Sequence, residues 1–345
     1  MKHPVRDLHA HSNCSDGLYE PAELVQRAVE AGVQEFSLTD HDTLAGLEEA
    51  EARAVSLGIR FLPGIEFTCK FAGQTVHILG YGFDPLVAQS DPELGEYLEQ
   101  VRARDRAWAA EMCRKSCQEP LLVRTPDHRE HLVCVREDEL LWARGTMPSP
   151  FHLSVVLAQK LARISTDLDL PARHWMYLLT GRPEPERKGE SYWATLSERY
   201  APTLERYGLV ARAHWWTPRP TADLLDVQNA LRSLERIGGI PVLAHPGEQK
   251  LSDEQIRHLV GLGVRGIEVY TFKHSSDYIS HLEALAESLG AFTTSGSDFH
   301  DPHHRAQVEL GRDRSGNALT QGLSLSDFYA LGAHVSVDEL VTRNR

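Results

Sequence analysis

Short apolar runs alternate with longer segments of helical apolar spacing across residues 1–91, and the same rhythm resumes after residue 220. Val5 to Leu8 predicts a strand. Ala22 to Ala31 is apolar at helical spacing and Gly32 closes it, after which Val33, Phe36 and Leu38 mark a second strand. The runs IRFLPGIEFTCKF and QTVHILGYGF read as the arms of a hairpin, with Phe71-Ala72-Gly73-Gln74 as its turn. Later, helical segments at Ala222 to Ile237, Asp253 to Leu262 and His274 to Leu289 interleave with strands in GGIPVLAHPG, GVRGIEVYTF and AFTTSGSDFH. Strands alternating with helices predict an α/β fold built on a parallel sheet or barrel, whose sites lie beyond the carboxyl ends of the strands.

Residues 92–220 break this rhythm. Glu96 to Cys117 predicts a charged, exposed helix, Pro150 to Leu179 carries apolar residues at helical spacing, and PEPERKGE is a polar stretch. The predicted organisation is therefore one α/β domain formed by residues 1–91 and 221–345, interrupted by a largely helical inserted domain at 92–220.

Nine metal-type side chains fall where the predicted strands end or in their hairpin: His9, His11, Asp16, His41, Glu66, His77, His245, Asp298 and His300. In His9-x-His11, alternate side chains of a strand share a face, so two imidazoles can grip one ion. Asp16 lies in the following turn beside Gly17. Asp40-His41-Asp42 stands at the end of the second strand; Asp42 or Thr43 would suit an N-cap for the next helix, which leaves His41 unexplained. Glu66, flanked by Ile65 and Phe67, would be costly to bury unless paired or metal-bound. Taken alone, the His9-x-His11 pair and His77 read more readily as ordinary core or solvated histidines. Their recurrence at one end of successive strands predicts a single metal site.

The motifs HAH, SDG, TDHDT, PGIE, the hairpin histidine, AHP, GIEVY and GSDFH resemble, in order, those of the PHP (polymerase and histidinol phosphatase) phosphoesterase family, over residues 5–84 and 222–312. DGLYEPAELVQRAVEAGV and GSDFH followed by ELGR are most similar to its bacterial nucleoside 3',5'-bisphosphate phosphatase and 5'-to-3' exonuclease branch. The resemblance implies a distorted (β/α)7 barrel and two to three divalent ions. His9, His11 and Asp298 would hold the first, Glu66 would bridge to a second completed by His77 and His245, and Asp16, His41 and His300 would hold a third. Such imidazole and carboxylate sets suit zinc, manganese or iron. The implied reaction is hydrolysis of a phosphate ester of a nucleotide or other small molecule by a metal-activated hydroxide, with Asp40 orienting a ligand imidazole and Glu268 in a structural or supporting role. No serine or cysteine nucleophile is needed, and Cys14 and Cys69 read as packing residues. Where that branch usually reads AHPGRYK, this chain reads AHPGEQK, and Glu248 would repel the phosphate that the arginine attracts. Compensating substrate contacts are sought at Lys250, Arg219, Lys273 and Arg305, and at His152 in PSPFH, the nearest likeness to the family's phosphate contact in the insert.

Composition narrows the partners. Thirty-six basic against forty-nine acidic residues give a net charge of -13, which disfavours long nucleic acid held by a basic track. A mononucleotide or short oligonucleotide held by metals remains compatible. No run of about eighteen apolar residues suggests a membrane span, and MKHPVRDLHAH enters the first strand without room for a secretory signal. Five cysteines without framework spacing fit a reducing, cytoplasmic setting. Cys113 and Cys117 lack a second pair for zinc, and His128, His131, His303 and His304 read as loop histidines. Three further readings are a 5'-to-3' exonuclease on short RNA or DNA, a noncatalytic metal-binding module, and a carbon-nitrogen hydrolase, which would usually carry a lysine bridge where this chain has Glu66.

Overall fold

The computed structural model describes residues 3–140, 150–170, 174–175, 190–209, 220, 224–300 and 308–334. Contacts divide the chain into two units, Met1–Val101 with Thr221–Arg345, and Arg102–Pro220. The division falls inside one helix, Pro92–Gln118.

In the first unit, strands β1 (Arg6–Asp7), β2 (Glu35–Phe36) and β3 (Arg60–Phe61) form a parallel three-stranded sheet. A six-stranded sheet combines β4 (Gly64–Phe71) and β5 (Gln74–Tyr81) with three strands of the C-terminal part. Numbered after a pair in the insert, these are β9 (Ile240–Leu243), β10 (Gly266–Tyr270) and β11 (Phe292–Ser295), and the short β8 (Leu225–Asp226) lies at the edge beside β4. β9, β10 and β11 are parallel, whereas β5 runs antiparallel to both β4 and β9. The predicted hairpin turn is observed: β4 ends at Phe71, β5 begins at Gln74, and Ala72 and Gly73 both take positive φ (48° and 80°), as a two-residue hairpin loop requires.

The expected α/β fold is observed, its strands arranged in sheets of which neither closes on itself among the described residues. Among the described residues, the isolated parallel bridges Ala10↔Phe299 and His41↔Glu66 link the segments beyond the two sheets, with Leu8 N donating to Ser295 O (3.1 Å) beside the first. Ladder pairing stops there because the chain leaves strand geometry just beyond: Asp42, His245 and Asp298 all have positive φ.

The helices follow their apolar periodicity. Pro21–Glu30 carries proline in its first turn, where the missing N–H costs nothing. Val227–Ile237 buries Val227, Ala230, Leu234 and Ile237 and is capped by Asp226, whose side chain accepts from Gln228 N. It lies so close to β5 that a Cβ on Gly80 would fall 2.1 Å from Leu234 Cδ2. Helix Leu47–Leu57 begins at Gly46 without a side-chain cap, so the capping role considered for Asp42 or Thr43 is not observed.

The second unit is not all helix. β6 (Leu121–Arg124) and β7 (Glu130–Val133) form an antiparallel pair, and these pack with helix Pro150–Ile164 and the second half of Pro92–Gln118 around Trp108, Met112, Leu157, Leu161 and Trp175. Helix Pro92–Gln118 was expected to be exposed. Its apolar residues instead line two cores, with Leu94, Tyr97 and Val101 in the first unit and Trp108, Ala109, Met112 and Cys113 in the second. Its frequent charges mask a buried stripe that the composition did not reveal. No helix among the described residues is long and apolar enough to cross a membrane.

Glu35 ties the three-stranded sheet together at the end opposite the histidines. Fully buried, it pairs with Arg6 (3.0 Å) on β1 and with Arg60 on β3. Arg6 Nη1 also donates to the carbonyls of Thr320, Gln321 and Gly322. Removing one partner of a buried pair strands the other. Glu35→Ala is expected to destabilise the fold by about 3 kcal/mol in urea denaturation, and a loss below about 1 kcal/mol would contradict a structural role for this pair.

Candidate metal centre

Each sequence-predicted metal residue lies at or beyond a strand end, or in the hairpin. His9 and His11 follow β1 and are fully buried. The intervening Ala10 pairs with Phe299, with His11 N donating to Phe299 O (2.8 Å) and Asp298 N to His9 O (2.8 Å), which brings the two ends of the chain's ligand series side by side. Asp16 sits in a turn closed by Gly17 N donating to Ser12 O (2.9 Å). A Cβ at Gly17 would lie 2.1 Å from His11 O, so the turn needs glycine there. In the hairpin, His77 is opposite Thr68 and therefore diagonal to Glu66 on the same sheet face. His245 and Asp298 lie just past β9 and β11 with φ of 22° and 56°. Non-glycine residues held in this region persist only where their surroundings enforce it, and they cluster at functional sites.

Glu66 is the hub. Its Oε2 lies 3.1 Å from His9 Nε2, 3.1 Å from His11 Nε2 and 3.2 Å from His41 Nδ1. Its Oε1 lies 3.0 Å from His77 Nδ1 and 3.1 Å from His245 Nε2. Asp298 Oδ1 closes the cluster at 3.3 Å from His9 Nε2 and 3.2 Å from His11 Nε2. Asp16 Oδ1 faces His300 Nε2 at 3.2 Å, while His300 Nδ1 is 2.9 Å from the Asp298 carbonyl. Ligand-capable atoms converge in the groups His9, His11, Glu66, Asp298; His11, Asp16, His41, His300; and His41, Glu66, His77.

These atoms fit divalent cations better than they fit one another. Glu66 Oε2 and His77 Nδ1 are buried without a hydrogen-bond partner, and His9 Nε2 and His11 Nε2 face each other at 3.1 Å. Two ring nitrogens and a carboxylate oxygen aimed at one point are what a shared ion satisfies. The electrostatics agree. Burial opposes charge on both imidazoles, yet Glu268, Glu66 and Asp298 hold His9 well above the ordinary histidine range, and Asp298 and Glu66 push His11 up to about 10. Burial would raise the Glu66 carboxyl, but His41, His9 and His77 keep it well below the usual carboxylate range. The cage therefore favours positive charge at His9 and His11, whereas burial holds His41 and, with Lys273, His245 below the ordinary histidine range.

A surrounding layer holds the cage. Glu268, fully buried on β10, accepts at Oε1 from His9 Nδ1 (2.9 Å) and at Oε2 from His245 N (3.0 Å), matching its expected supporting role. A Cβ on Gly296 would lie 2.3 Å from His9 Cβ and 2.7 Å from Glu268 Oε1, so this approach also depends on glycine. Asp40 differs from expectation. It accepts from Ser12 N (2.7 Å), Ser12 Oγ (2.6 Å) and Ser15 Oγ (2.5 Å), and reaches no imidazole directly; Ser15 Oγ stands 3.4 Å from His11 Nδ1. Asp42 accepts from Thr68 N and Tyr97 Oη, both at 3.0 Å, which locks the end of β2 to the hairpin. Asp7 was missed by the sequence reading. It accepts from Ser297 N (2.8 Å), Ser297 Oγ (2.7 Å) and Gly311 N (2.7 Å), fixing the segment that presents Asp298. Its spacing, two residues before His9 in Asp-x-His-x-His, was the available signal.

The substrate candidates separate. Lys273 is buried and pairs with both Glu248 and Asp298, and Glu248 Oε2 lies 3.3 Å from His245 Nδ1. The replacement residue Glu248 and a candidate compensating cation are thus joined at the cluster's edge. Lys250 is exposed, and His152 is fully buried in the second unit. Arg219, Arg305, His303 and His304 lie outside the described residues. His128 and His131 join none of the metal-type groups among the described residues, and Cys14 and Cys69 are buried as expected for packing residues.

A family model described as PHP domain matches residues 7–141. The chain is 29% identical over 312 residues to a 3',5'-nucleoside bisphosphate phosphatase of Chromobacterium violaceum, covering 89% of each protein. It is 25% identical over 311 residues to a 5'-3' exoribonuclease of Haemophilus influenzae, covering 89% of this chain and 93% of that one. In structure it is similar to a protein from Bifidobacterium adolescentis described as a metal-dependent phosphoesterase, with a TM-score of 0.63, 22% identity and 96% of each chain covered.

Glu268→Ala is expected to weaken divalent-metal binding about 10- to 100-fold, measured by competition with a chelator, because His9 loses the partner of its other nitrogen. Unchanged affinity in a folded variant would show that His9 needs no such support.

Proposed function

We infer that this PHP-domain protein, a metal-dependent phosphoesterase, hydrolyses a phosphate ester of a nucleotide or another small molecule, in a cytoplasmic setting consistent with its five free cysteines. The observation that carries this reading is the buried Glu66 carboxylate, ringed by His9, His11, His41, His77 and His245 and completed by Asp298. His9, His11, Asp298 and Glu66 would hold a first ion, Glu66 with His77 and His245 a second, and Asp16, His41 and His300 a third, with zinc, manganese or iron all suited to the donors. Bound divalent ions would lower the pKa of a water and take up negative charge from phosphoryl oxygens. The protein's own groups supply the rest. Glu268 fixes the His9 ring, Asp7 and Ser297 fix Asp298, and Lys273 offers a cation beside Asp298 where a phosphate could dock. Lys250, His152 and Arg219 are kept as further proposed substrate contacts. We also carry forward the (β/α)7 arrangement as a distorted form whose seams are the single bridges, with residues 92–220 as the specificity-setting cap.

A 5'-to-3' exonuclease on short RNA or DNA is the second reading, favoured by the likeness to the Haemophilus influenzae exoribonuclease. The net charge of -13 favours short substrates under either reading.

The test is phosphate release from nucleotides, bisphosphates, cyclic esters, sugar phosphates and short oligonucleotides with Mn²⁺ or Zn²⁺. His9→Ala and Asp298→Ala are each expected to abolish release while circular dichroism still reports a folded chain. Wild-type rates in either metal-replete variant would sink the assignment. Stepwise shortening of a 5'-labelled oligonucleotide, with no release from mononucleotides, would select the exonuclease.

A further inference from the structure

Three of the five cysteines lie in the second unit, and the structure pairs two that sequence spacing does not connect. Cys117 is in the last turn of helix Pro92–Gln118, and Cys134 immediately follows β7. Their sulfurs are 3.1 Å apart, so a bond of about 2 Å needs an approach of only about 1 Å. The neighbouring residues hold this register from both sides. Ser116 Oγ donates to Val135 O (2.8 Å) and accepts from Val135 N (2.9 Å), so helix and strand are already pinned one residue away. Lys160 Nζ donates to Cys134 O (2.6 Å) and to Glu139 (2.6 Å), fixing the far side of Cys134, whose thiol is raised by burial and by Cys117 against the opposing pull of Lys160. Cys117 is exposed and Cys134 partly so, within reach of a small oxidant. Cys113, one turn earlier, is buried, and burial pushes its thiol up to about 12, which removes it from competition.

We propose that Cys117 and Cys134 are a thiol-disulfide modification site that closes reversibly with a small-molecule disulfide such as oxidised glutathione. The Cys117 thiolate attacks one sulfur of that disulfide, expelling one small thiol and leaving a mixed disulfide. Cys134, as its thiolate, then attacks the Cys117 sulfur and expels the second. Two electrons and two protons leave the protein pair, and one small disulfide becomes two thiols. The new bond ties the helix's last turn to the hairpin β6–β7. In a reducing compartment the pair stays open until the thiol pool is oxidised.

The full-length protein is equilibrated across ratios of oxidised to reduced glutathione, trapped with an alkylating agent and mapped by peptide mass spectrometry. The expected product in the unmodified protein is a peptide linking Cys117 to Cys134, lost on adding dithiothreitol. Cys134→Ser is expected to stop at a glutathione adduct on Cys117, and Cys113→Ser to behave as the parent. The proposal is overturned if both thiols stay free at the most oxidising ratio. It is also overturned if a glutathione adduct is the end state of the parent, or if the bond forms to Cys113. The unmodified protein decides the matter alone, so a variant that folds poorly does not leave it open.

Discussion

A fully buried carboxylate surrounded by five imidazole nitrogens is the constraint around which the first unit is organised. Removing a carboxylate from water costs several kcal/mol, and Glu66 recovers it only if every strand end delivers its positive or metal-binding partner to the same point. Those partners come from the hairpin of Glu66 itself, from β1 and β2, and from β9 on the far side of the insert. Misplacing any one segment would leave charge buried without compensation, so chemistry and fold specificity depend on the same residue.

The strained backbone at His245 and Asp298 is the local cost of that convergence. It is borne by groups outside the nine residues predicted from the sequence. Glu268 holds both the His9 ring and the His245 backbone N–H, and Asp7 holds Ser297 and Gly311 around Asp298. Asp40 acts one step further out through Ser12 and Ser15. At the other end of the three-stranded sheet, Glu35 between Arg6 and Arg60 keeps β1, β2 and β3 in register. In a short sheet of two-residue strands these side-chain links add to the backbone ladder.

Charge at the edge of the cluster is internally paired. Lys273 is shared between Glu248 and Asp298, so under the proposed function the positive charge it would offer a phosphate is partly neutralised by internal carboxylates. A ligand with a second anionic group beside His245 would meet Glu248. The second unit has its own apolar core around Trp108, Leu157 and Trp175.

Much of this was legible in the chain itself. Alternation placed His9 and His11 on one face, the turn Ala72-Gly73 fixed the hairpin, and helical spacing located Asp253–Leu262 to the residue, because each is a local pattern of period or turn chemistry. The kind and order of the metal-type residues were likewise set by sequence. Only the tertiary structure decided how the strands join. It arranged them as two open sheets with isolated bridges at their ends, and it turned Asp42 from a candidate cap into a partner of Thr68 and Tyr97. It also gave helix Pro92–Gln118 a buried stripe and set Cys117 against Cys134. The reason is physical: period and propensity act over a few residues, whereas burial and hydrogen-bond partners are chosen by segments up to hundreds of residues apart, and the chain must fold before those choices exist.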